Sequence, residues 1–232
     1  MASFPRSCLC SLILFASLPA LTPVLPAQDK PPAPAAAQEP ATLPPVGEWQ
    51  PLFDGKTLNG WKETPFTGRG KVTIQDGTII LGTGAMTGIT RTAWFPKSNY
   101  EVRMEAERVS GSDFFAGITF PVGEAFLTWI NGGWGGSLVG ISSLDDEDAS
   151  ENETSCIVDF ENRHWYSLLL RVTDAAVEAW IDGDEYIDVG LAGRALSLRF
   201  GEIELSAPFG IATYETTGAI RKLEYRLIPP PK

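Results

Sequence analysis

Alternation of apolar and polar residues with a period of two is the feature that most constrains the fold of this 232-residue chain. It is plainest in the segment YEVRMEAERV, residues 100–109. One side of the segment is apolar and the other is charged: Tyr100, Val102, Met104 and Ala106 against Glu101, Arg103, Glu105 and Glu107. Successive side chains of a β-strand point to opposite faces, so the pattern predicts a strand with one buried and one solvated face. We interpret the charged side as ordinary solvated surface.

The same alternation recurs in WYSLLLRV, residues 165–172, and in KLEYRL, residues 222–227. Turn signals separate such segments. Asp76-Gly77 and Asp182-Gly183 each lie between two strand-like runs, as in a two-residue β-hairpin. We expect roughly eleven to thirteen short antiparallel strands. Many such strands pack as two sheets, so the predicted fold is a single all-β domain, an antiparallel β-sandwich or jelly roll.

The first residues predict an export signal rather than part of the fold. Arg6 is the only charged residue before Asp29, and the apolar run CLCSLILFASLPAL follows it. A charged start, a short apolar run and a small residue near Ala27 are the layout of a secretory signal peptide, here residues 1–27. The run is too short for a comfortable membrane span, and a retained N-terminal anchor is the alternative. We expect an exported protein, periplasmic or extracellular.

Residues 28–46 predict a disordered linker, because the segment is rich in Pro and Ala and has almost no large apolar side chains. Ten of the 18 prolines precede residue 47. Residues 47–230 are enough for one domain with a real core. Cys8 and Cys10 fall within the predicted signal, so only Cys156 remains in the mature chain and an internal disulfide is excluded.

The charge of the chain narrows its partners. The formal net charge is −11, and it becomes −12 without residues 1–27, which contain one Arg and no acid. A chain this acidic repels nucleic acid and anionic lipid. Neutral saccharides and cations remain as expected partners, and no membrane span is expected in the mature chain. The sequence makes no prediction of the oligomeric state.

The opening segment WQPLFDGKTLNGWKE, residues 49–63, resembles the opening signature of the 3-keto-disaccharide hydrolase domain family. IQDGTIILGTG (74–84) and NRHWYSLLLRV (162–172) are similar to later parts of the same family, and the likeness extends over nearly all of residues 49–228. The resemblance implies a concanavalin-like, lectin-like jelly roll. It also implies an exported carbohydrate-active domain that cleaves 3-keto-glycosides, by hydrolysis or by elimination and hydration.

Two departures from the family pattern bear on activity. Family members commonly carry Asn-Ser-Gly ahead of a glycine-centred strand, where this chain has DFFAG, residues 113–117. Many also carry a Glu and a Gln in the following strand, facing the concave sheet, where this chain has Leu138, Val139 and Gly140. The resemblance therefore carries the fold over more completely than the activity.

Histidine chemistry is nearly excluded by composition. His164 is the only histidine, which rules out a His-rich zinc site and leaves one residue for any Ser-His-Asp triad. We place His164 at a partly exposed strand end. The sequence also lacks a nucleophile elbow, a phosphate loop and a dinucleotide fingerprint. Acid–base chemistry in this chain therefore falls to carboxylates.

A 3-keto-glycoside carries an acidified C–H beside its ketone, so one carboxylate base and a cation that holds the enolate would suffice for cleavage. The candidate catalytic residues are Glu124, which begins the segment EAFLTWIN, and Asp145 and Asp146. Paired carboxylates flanking a glycosidic bond are the alternative. Among the acids of this chain, no pair matches a known signature such as Glu-x-Asp-x-x-Glu.

The stretch TWINGGWGGSLVGISSLDDEDASENETS, residues 128–155, combines tryptophans, glycine pairs and carboxylates. We first interpret it as a saccharide site, in which Trp129 and Trp134 pack on the flat C–H faces of sugar rings and Asn131 binds hydroxyls. The glycines would let the backbone come close to a ligand. Core packing is the competing interpretation of the two tryptophans.

The acidic part of this stretch has two further interpretations. Asp145, Asp146, Asp148 and Glu151 are candidate oxygen ligands for a divalent cation such as calcium, although their spacing fails the EF-hand pattern. The alternative is a solvated loop without a ligand. We rank the saccharide site first, the plain loop second and the calcium site third.

Three functions follow for the whole chain. The first is cleavage of 3-keto-glycosides, as the family resemblance implies. The second is a carbohydrate-binding module without catalysis, and the third is a structural or interaction domain on a Pro-rich tether. The remaining tryptophans of note, Trp61, Trp94, Trp165 and Trp180, we interpret as mainly structural.

Overall fold

The structure, a computed structural model, describes residues 38–231. The predicted signal peptide and the first part of the predicted linker lie outside the described residues. Within them the chain forms fifteen strands and one 3₁₀ helix, Glu202–Ser206. The strands are β1 (Gln50–Pro51), β2 (Trp61–Glu63), β3 (Val72–Gln75), β4 (Thr78–Leu81), β5 (Met86–Arg91), β6 (Tyr100–Ser110), β7 (Gly117–Val122), β8 (Ala125–Gly133), β9 (Leu138–Ser142), β10 (Cys156–Ile157), β11 (Trp165–Val172), β12 (Ala176–Ile181), β13 (Asp184–Gly190), β14 (Gly210–Tyr214) and β15 (Thr217–Leu227).

The strands form two antiparallel sheets that pack as a sandwich. The first sheet has the order β13-β12-β11-β6-β15-β4-β3, with β1 paired to β15. The second has the order β10-β9-β8-β7-β14-β5-β2. The prediction of an all-β sandwich is confirmed. The strand number is higher than expected, because β1, β2 and β10 are only two or three residues long and carry no periodic signal.

The core lies between the sheets and is built from the apolar sides that the alternation predicted. In β6, Tyr100, Val102, Met104 and Ala106 are all buried, and in β11 the alternate residues from Tyr166 to Val172 are buried. Cys156, the one cysteine in the described part, is half-buried against this core with a free thiol. Burial raises the pKa of this thiol above its ordinary value.

Both predicted Asp-Gly hairpins are present. Asp76 and Gly77 join β3 to β4 with φ angles of 46° and 75°, and Asp182 and Gly183 join β12 to β13 with 53° and 90°. Two consecutive positive φ angles are the geometry of a two-residue hairpin turn, in which Asp and Gly carry the least strain.

The outer face of the second sheet, called here the covered face, is buried beneath loops. Threonines point outward from its central strands, and Thr119 Oγ1 lies 3.0 Å from Thr128 Oγ1 in a fully buried pair. Four outward glycines lie under covering residues: Gly88 under Phe66, Gly117 under Phe114, Gly140 under Ala149 and Gly210 under Ser206. A Cβ added at Gly140 would lie 2.7 Å from the Ala149 carbonyl oxygen. The missing side chains are therefore what lets the loops lie flat on this sheet.

The segment between β13 and β14 supplies much of this cover. Leu196 forms an isolated β-bridge with Leu144, and Asp145 N donates to Ala195 O at 2.8 Å. Further along, Thr90 Oγ1 donates to Leu205 O at 3.0 Å. Polar groups of the sheet are thus satisfied by the loop backbone instead of by solvent.

The described part of the predicted linker, residues 38–46, contains neither helix nor strand and is almost entirely exposed. Ordered pairing begins at Gly47, whose N–H donates to Leu227 O at 2.8 Å. Among residues 38–231, no helix has the length and apolar character needed to cross a bilayer.

Candidate functional site

The outer face of the first sheet, called here the open face, carries a buried ion-pair row. The register places Arg171, Glu101 and Arg226 side by side across β11, β6 and β15. Glu101 is only 1% exposed, and its two oxygens accept from Arg171 Nε at 2.7 Å and from Arg226 Nε at 2.6 Å. The interpretation of Glu101 as an ordinary solvated residue is therefore wrong, because two long arginines fold over it.

Three further ion pairs lie on the same face along β6. Arg103 Nε donates to Glu224 Oε2 at 2.7 Å. Glu105 accepts from Arg221 Nε at 2.6 Å and from Lys222 Nζ at 2.5 Å. Partial burial alone would raise the pKa of Glu105, but the two cationic donors outweigh it and hold this pKa below its ordinary value.

Three tryptophans lie over the arginines of the open face. The Trp49 ring is 4.1 Å from Arg103 Cζ and 4.6 Å from Arg226 Cζ. Trp180 lies 4.9 Å from Arg171 Cζ, and Trp165 lies 4.0 Å from Arg221 Cζ. These are cation–π distances. Trp165 and Trp180 are partly exposed and point away from the core, and each packs on an arginine.

Between Trp49 and Trp180 the open face forms a groove of about 720 Å³. Arg103, Glu105, Ser167, Leu169 and Lys222 contribute to its lining. The turn of the β12–β13 hairpin is fixed beside it, because Ser167 N donates to Asp182 Oδ1 at 2.7 Å. The volume is in the range of small-molecule sites.

The groove combines flat aromatic rings with a dense set of hydrogen-bond donors. Its carboxylates already accept from arginine or lysine, whereas each guanidinium has five N–H donors and uses only part of them in these pairs. A carboxylate with a lowered pKa, such as that of Glu105, is also a weak proton acceptor. The arrangement is therefore suited to hold a hydroxyl-rich ligand more than to move a proton.

The predicted catalytic and saccharide residues are separated along β8. Glu124 lies in the turn before β8 and Trp134 follows its last residue, so the nine-residue strand places them about 30 Å apart. The Glu124 side chain is 88% exposed and pairs with Lys97 Nζ at 2.7 Å. Glu124 and Trp134 therefore do not form one site.

Trp129 and Asn131 point into the sandwich, and both are fully buried. Asn131 Nδ2 donates to Ala116 O at 3.0 Å. Trp129 Nε1 and Asn131 Oδ1 have no hydrogen-bond partner among residues 38–231. Neither side chain is accessible to a saccharide in this structure. Trp129 packs in the core between the sheets.

Trp134 alone among the predicted saccharide residues is exposed, by 45%. It lies in the tight turn between β8 and β9 with a φ of 49°, a conformation that costs a bulky residue energy. Arg199 Cζ is 5.8 Å from its ring, and Arg199 pairs with Asp148 at 2.9 Å. The structure thus brings Trp134 and Asp148 together through one arginine.

Three carboxylates of the acidic loop, Asp145, Asp148 and Glu153, are paired with arginines. Arg194 donates to Asp145 Oδ2 at 2.6 Å and also contacts Glu153. This hydrogen bond is the main reason that the pKa of Asp145 lies below its ordinary value. Asp146 and Glu151 are exposed.

A metal site does not assemble from the loop residues. In the described range 38–231, no group of three or more His, Cys, Asp or Glu side chains is arranged to hold a metal ion. The loop is instead organised by Asn152, whose side-chain amide donates to Ile141 O at 2.7 Å and to Asp148 O at 2.9 Å. Calcium binding by Asp145, Asp146, Asp148 and Glu151 stays a prediction.

Comparison with known families supports a carbohydrate-related role. Residues 48–205 match the 3-keto-alpha-glucoside-1,2-lyase-like domain family. The chain belongs to this family. The resemblance inferred from the opening segment is thereby confirmed, and the domain is carbohydrate-related, either glycosyl hydrolase-like or carbohydrate-binding. A search of curated proteins finds no match.

Solved structures that resemble this family member share its fold. A putative glycosyl hydrolase from Parabacteroides distasonis ATCC 8503 has a TM-score of 0.51 and 13% identity, over 78% of this chain and 94% of the other. The Crh5 transglycosylase in complex with NAG has a TM-score of 0.54 and 13% identity, over 82% and 89%. At this identity the likeness shows the jelly-roll sandwich alone.

Proposed function

We propose that this protein is an exported saccharide-binding domain whose ligand lies in the groove of the open face. The observation that carries the proposal is the groove itself, with Trp49 and Trp180 on its two sides and arginine donors between them. Sugar rings offer flat C–H faces for an indole and hydroxyl oxygens for a guanidinium. The carbohydrate-related family supports the same ligand class.

The arrangement of acids favours binding over cleavage at this groove. Glu101 is enclosed by two arginines, and the pKa of Glu105 is lowered, so neither is well placed to take a proton. On the other sheet, the outward positions beneath the covering loops include threonine, serine, glycine and the apolar Ile130 and Leu138. The central carboxylates of the groove are therefore engaged by arginines, which favours binding of a glycoside there over its cleavage.

Cleavage of a 3-keto-glycoside is the second candidate, favoured by the family match over residues 48–205. Glu124, Asp145 and Asp146 are its candidate bases. The test incubates the full chain with a panel of 3-keto-disaccharides, with calcium or with EDTA, and follows products by mass spectrometry. Keto-sugar release that Glu124→Gln or Asp145→Asn abolishes would establish the enzyme and contradict a binding-only role.

The binding proposal is tested with the full chain against gluco-, xylo- and manno-oligosaccharides by calorimetry. Trp180→Ala should weaken the best-bound ligand by about tenfold or more, as loss of a central tryptophan does in binding sites. Trp134→Ala is the matched control on the other sheet and should leave the affinity within about twofold. Loss with Trp134→Ala but not with Trp180→Ala would move the site to the acidic loop.

The third possibility, an interaction domain on a tether, predicts no saccharide binding by the wild-type chain in the same panel. That result would overturn the proposal directly. Export is tested separately by fractionation of expressing cells and N-terminal sequencing of the product. We expect a mature chain beginning near Gln28 outside the cytoplasm, as the charged start and apolar run of residues 1–27 suggest.

A further inference from the structure

We propose that the ligand of the groove is an uncharged saccharide segment of at least two rings, with one ring against Trp180 and the next against Trp49. This inference rests on the proposed saccharide binding and adds the length and the charge of the ligand. The length follows from the strand order between the two tryptophans. The charge follows from the pairing of side chains on the open face.

The length of the ligand follows from the distance between the two indoles across the sheet. Trp180 lies on β12, and Trp49 contacts Arg103 of β6 and Arg226 of β15. The order β12-β11-β6-β15 puts two to three strand spacings between them, about 10–14 Å at the usual spacing. One pyranose ring cannot lie against both indoles at this separation, whereas two linked rings can.

The floor between the indoles suits two rings in a row. Leu169 pairs with Trp180 on one side and with Arg103 on the other, so an apolar side chain lies between the aromatic wall and the first guanidinium. Ser167, two residues along β11, adds a small polar side chain on the same face. Ring faces therefore meet Leu169 and the indoles, while hydroxyls meet Ser167 and Arg103.

Charge on the four strands of the open face that line the groove is balanced. The outward side chains of β6, β11, β12 and β15 comprise five cations and five acids: Arg103, Arg171, Arg221, Lys222 and Arg226 against Glu101, Glu105, Glu107, Glu178 and Glu224. Glu101, Glu105 and Glu224, the carboxylates at the centre, each accept from arginine. A charged ligand gains no net attraction from such a face and would compete with existing pairs. Hydroxyls can use the remaining N–H groups without breaking them.

The tryptophans of the two subsites lie in different parts of the chain. It precedes β1, whose two residues pair with β15, so the wall that it forms belongs to the first ordered turn after the predicted linker. Trp180 instead lies within the β12–β13 hairpin. The two subsites can therefore be removed independently, by one substitution each.

The experiment measures dissociation constants of the full chain for gluco-, xylo- and manno-oligosaccharides of one to four rings. For the sugar that binds, we expect affinity to rise at least about tenfold from one ring to two and by less than about threefold beyond two. Trp49→Ala should remove the gain from the second ring, so that one and two rings bind with similar affinity. Trp49→Phe should restore most of the gain, and melting curves check that each variant is folded.

Salt and a charged analogue test the second half of the inference. We expect the dissociation constant to change by less than about twofold between 50 and 500 mM NaCl, because long-range charge is not involved. The uronate oligomer of equal length should bind more weakly than the neutral one. A tighter uronate, a strong salt dependence, or equal affinity for one and two rings would each overturn the inference and leave saccharide binding standing. Absence of all binding overturns both.

Discussion

The two outer faces of the sandwich are both formed by antiparallel strands, but one is open to solvent and the other is covered by loops. The open face carries long charged side chains and three tryptophans that fold over one another and leave a groove. The covered face carries threonine and glycine, and loops lie directly upon it. Small outward side chains thus go with a face that its own loops cover, and large charged ones with a face that stays open as a groove.

A physical reason lies in how each face satisfies its polar groups. Arginine and glutamate on the open face pair with each other across strands, so the face needs no covering segment. On the covered face, Thr90 and Thr64 hydroxyls lie 2.7 Å apart and Thr90 reaches a loop carbonyl. The polar groups on the covered face are thus satisfied by the protein itself.

The largest expected effect is the loss of stability when a side chain that covers the second sheet is removed. Phe66 is fully buried and lies over Gly88, whose added Cβ would be 3.0 Å from Phe66 Cε2. Phe66→Ala leaves a cavity between loop and sheet, so we expect the free energy of unfolding to fall by about 3–5 kcal/mol. Urea denaturation measures the change.

The matched control is the same substitution at an exposed site of the segment between β13 and β14. Phe200 is 94% exposed, and Phe200→Ala should change the free energy of unfolding by less than about 0.5 kcal/mol. Equal losses for the two variants would mean that the cover contributes no more to stability than exposed surface does.

The next effect in size concerns the buried acid of the open face. Glu101→Gln removes the charge shared by Arg171 and Arg226 and should lower the free energy of unfolding by about 2–3 kcal/mol. The estimate is below that for a fully enclosed pair, because the two arginine side chains are about a third exposed. Denaturant unfolding at neutral pH checks it.

Glu124→Gln is the control for this change, since the Glu124–Lys97 pair is highly exposed. Exposed pairs contribute little, and we expect less than about 0.5 kcal/mol. A small loss for Glu101→Gln, comparable to this control, would show that the arginines of the open face do not need their central carboxylate.

Adding a methyl group to a glycine of the covered face should lower the free energy of unfolding by less than Phe66→Ala does, but by a measurable amount. A Cβ at Gly140 would lie 2.7 Å from Ala149 O and 3.3 Å from Ala149 Cβ, so Gly140→Ala has to displace the loop backbone. We expect a loss of about 1–2 kcal/mol. Thermal and urea unfolding of the variant give the value.

Gly190, a strand glycine without a covering loop, is the control for Gly140→Ala, because an added methyl group there meets no neighbour. Gly190, in β13, has open space around an added Cβ and no positive φ. Gly190→Ala should be neutral or raise the free energy of unfolding by up to about 1 kcal/mol, because alanine restricts the unfolded chain. If both glycine variants behave alike, the cover does not depend on bare backbone.

The fold was predictable from the sequence because its signals are local. Alternation in residues 100–106 and 166–172 correctly predicts which side chains are buried. Asp76-Gly77 and Asp182-Gly183 correctly predict two hairpin turns. The same alternation already placed Trp165 and Trp180 outward, since Tyr166, Ala179 and Ile181 point inward. Alternation gives the direction of a tryptophan but not its partners, so it does not separate a ligand contact from ordinary packing.

The candidate site was less predictable because it depends on distant partners. Glu101 is buried by Arg171 and Arg226, which lie 70 and 125 positions away in the chain. The conspicuous stretch 128–155 is contiguous in sequence, but folding divides it between the core, an exposed turn and an arginine-paired loop. Proximity in sequence was therefore a poor guide to a shared site, and strand register was the missing information.

The smallest expected effect is the change in the free energy of unfolding when acid protonates Glu105 on the open face. The pKa of Glu105 is lowered from 4.5 in the folded state, because the donors Lys222 and Arg221 outweigh the opposing effect of burial. A lowered folded-state pKa stabilises the fold above about pH 4.5, and this contribution is lost as the pH falls through the folded-state value. Glu105→Gln should therefore flatten the loss of stability below pH 4.5, by less than about 1 kcal/mol for a pair near the surface. Urea unfolding from pH 6 to pH 3 measures the slopes, and identical slopes would mean that Lys222 and Arg221 do not hold the carboxylate ionised.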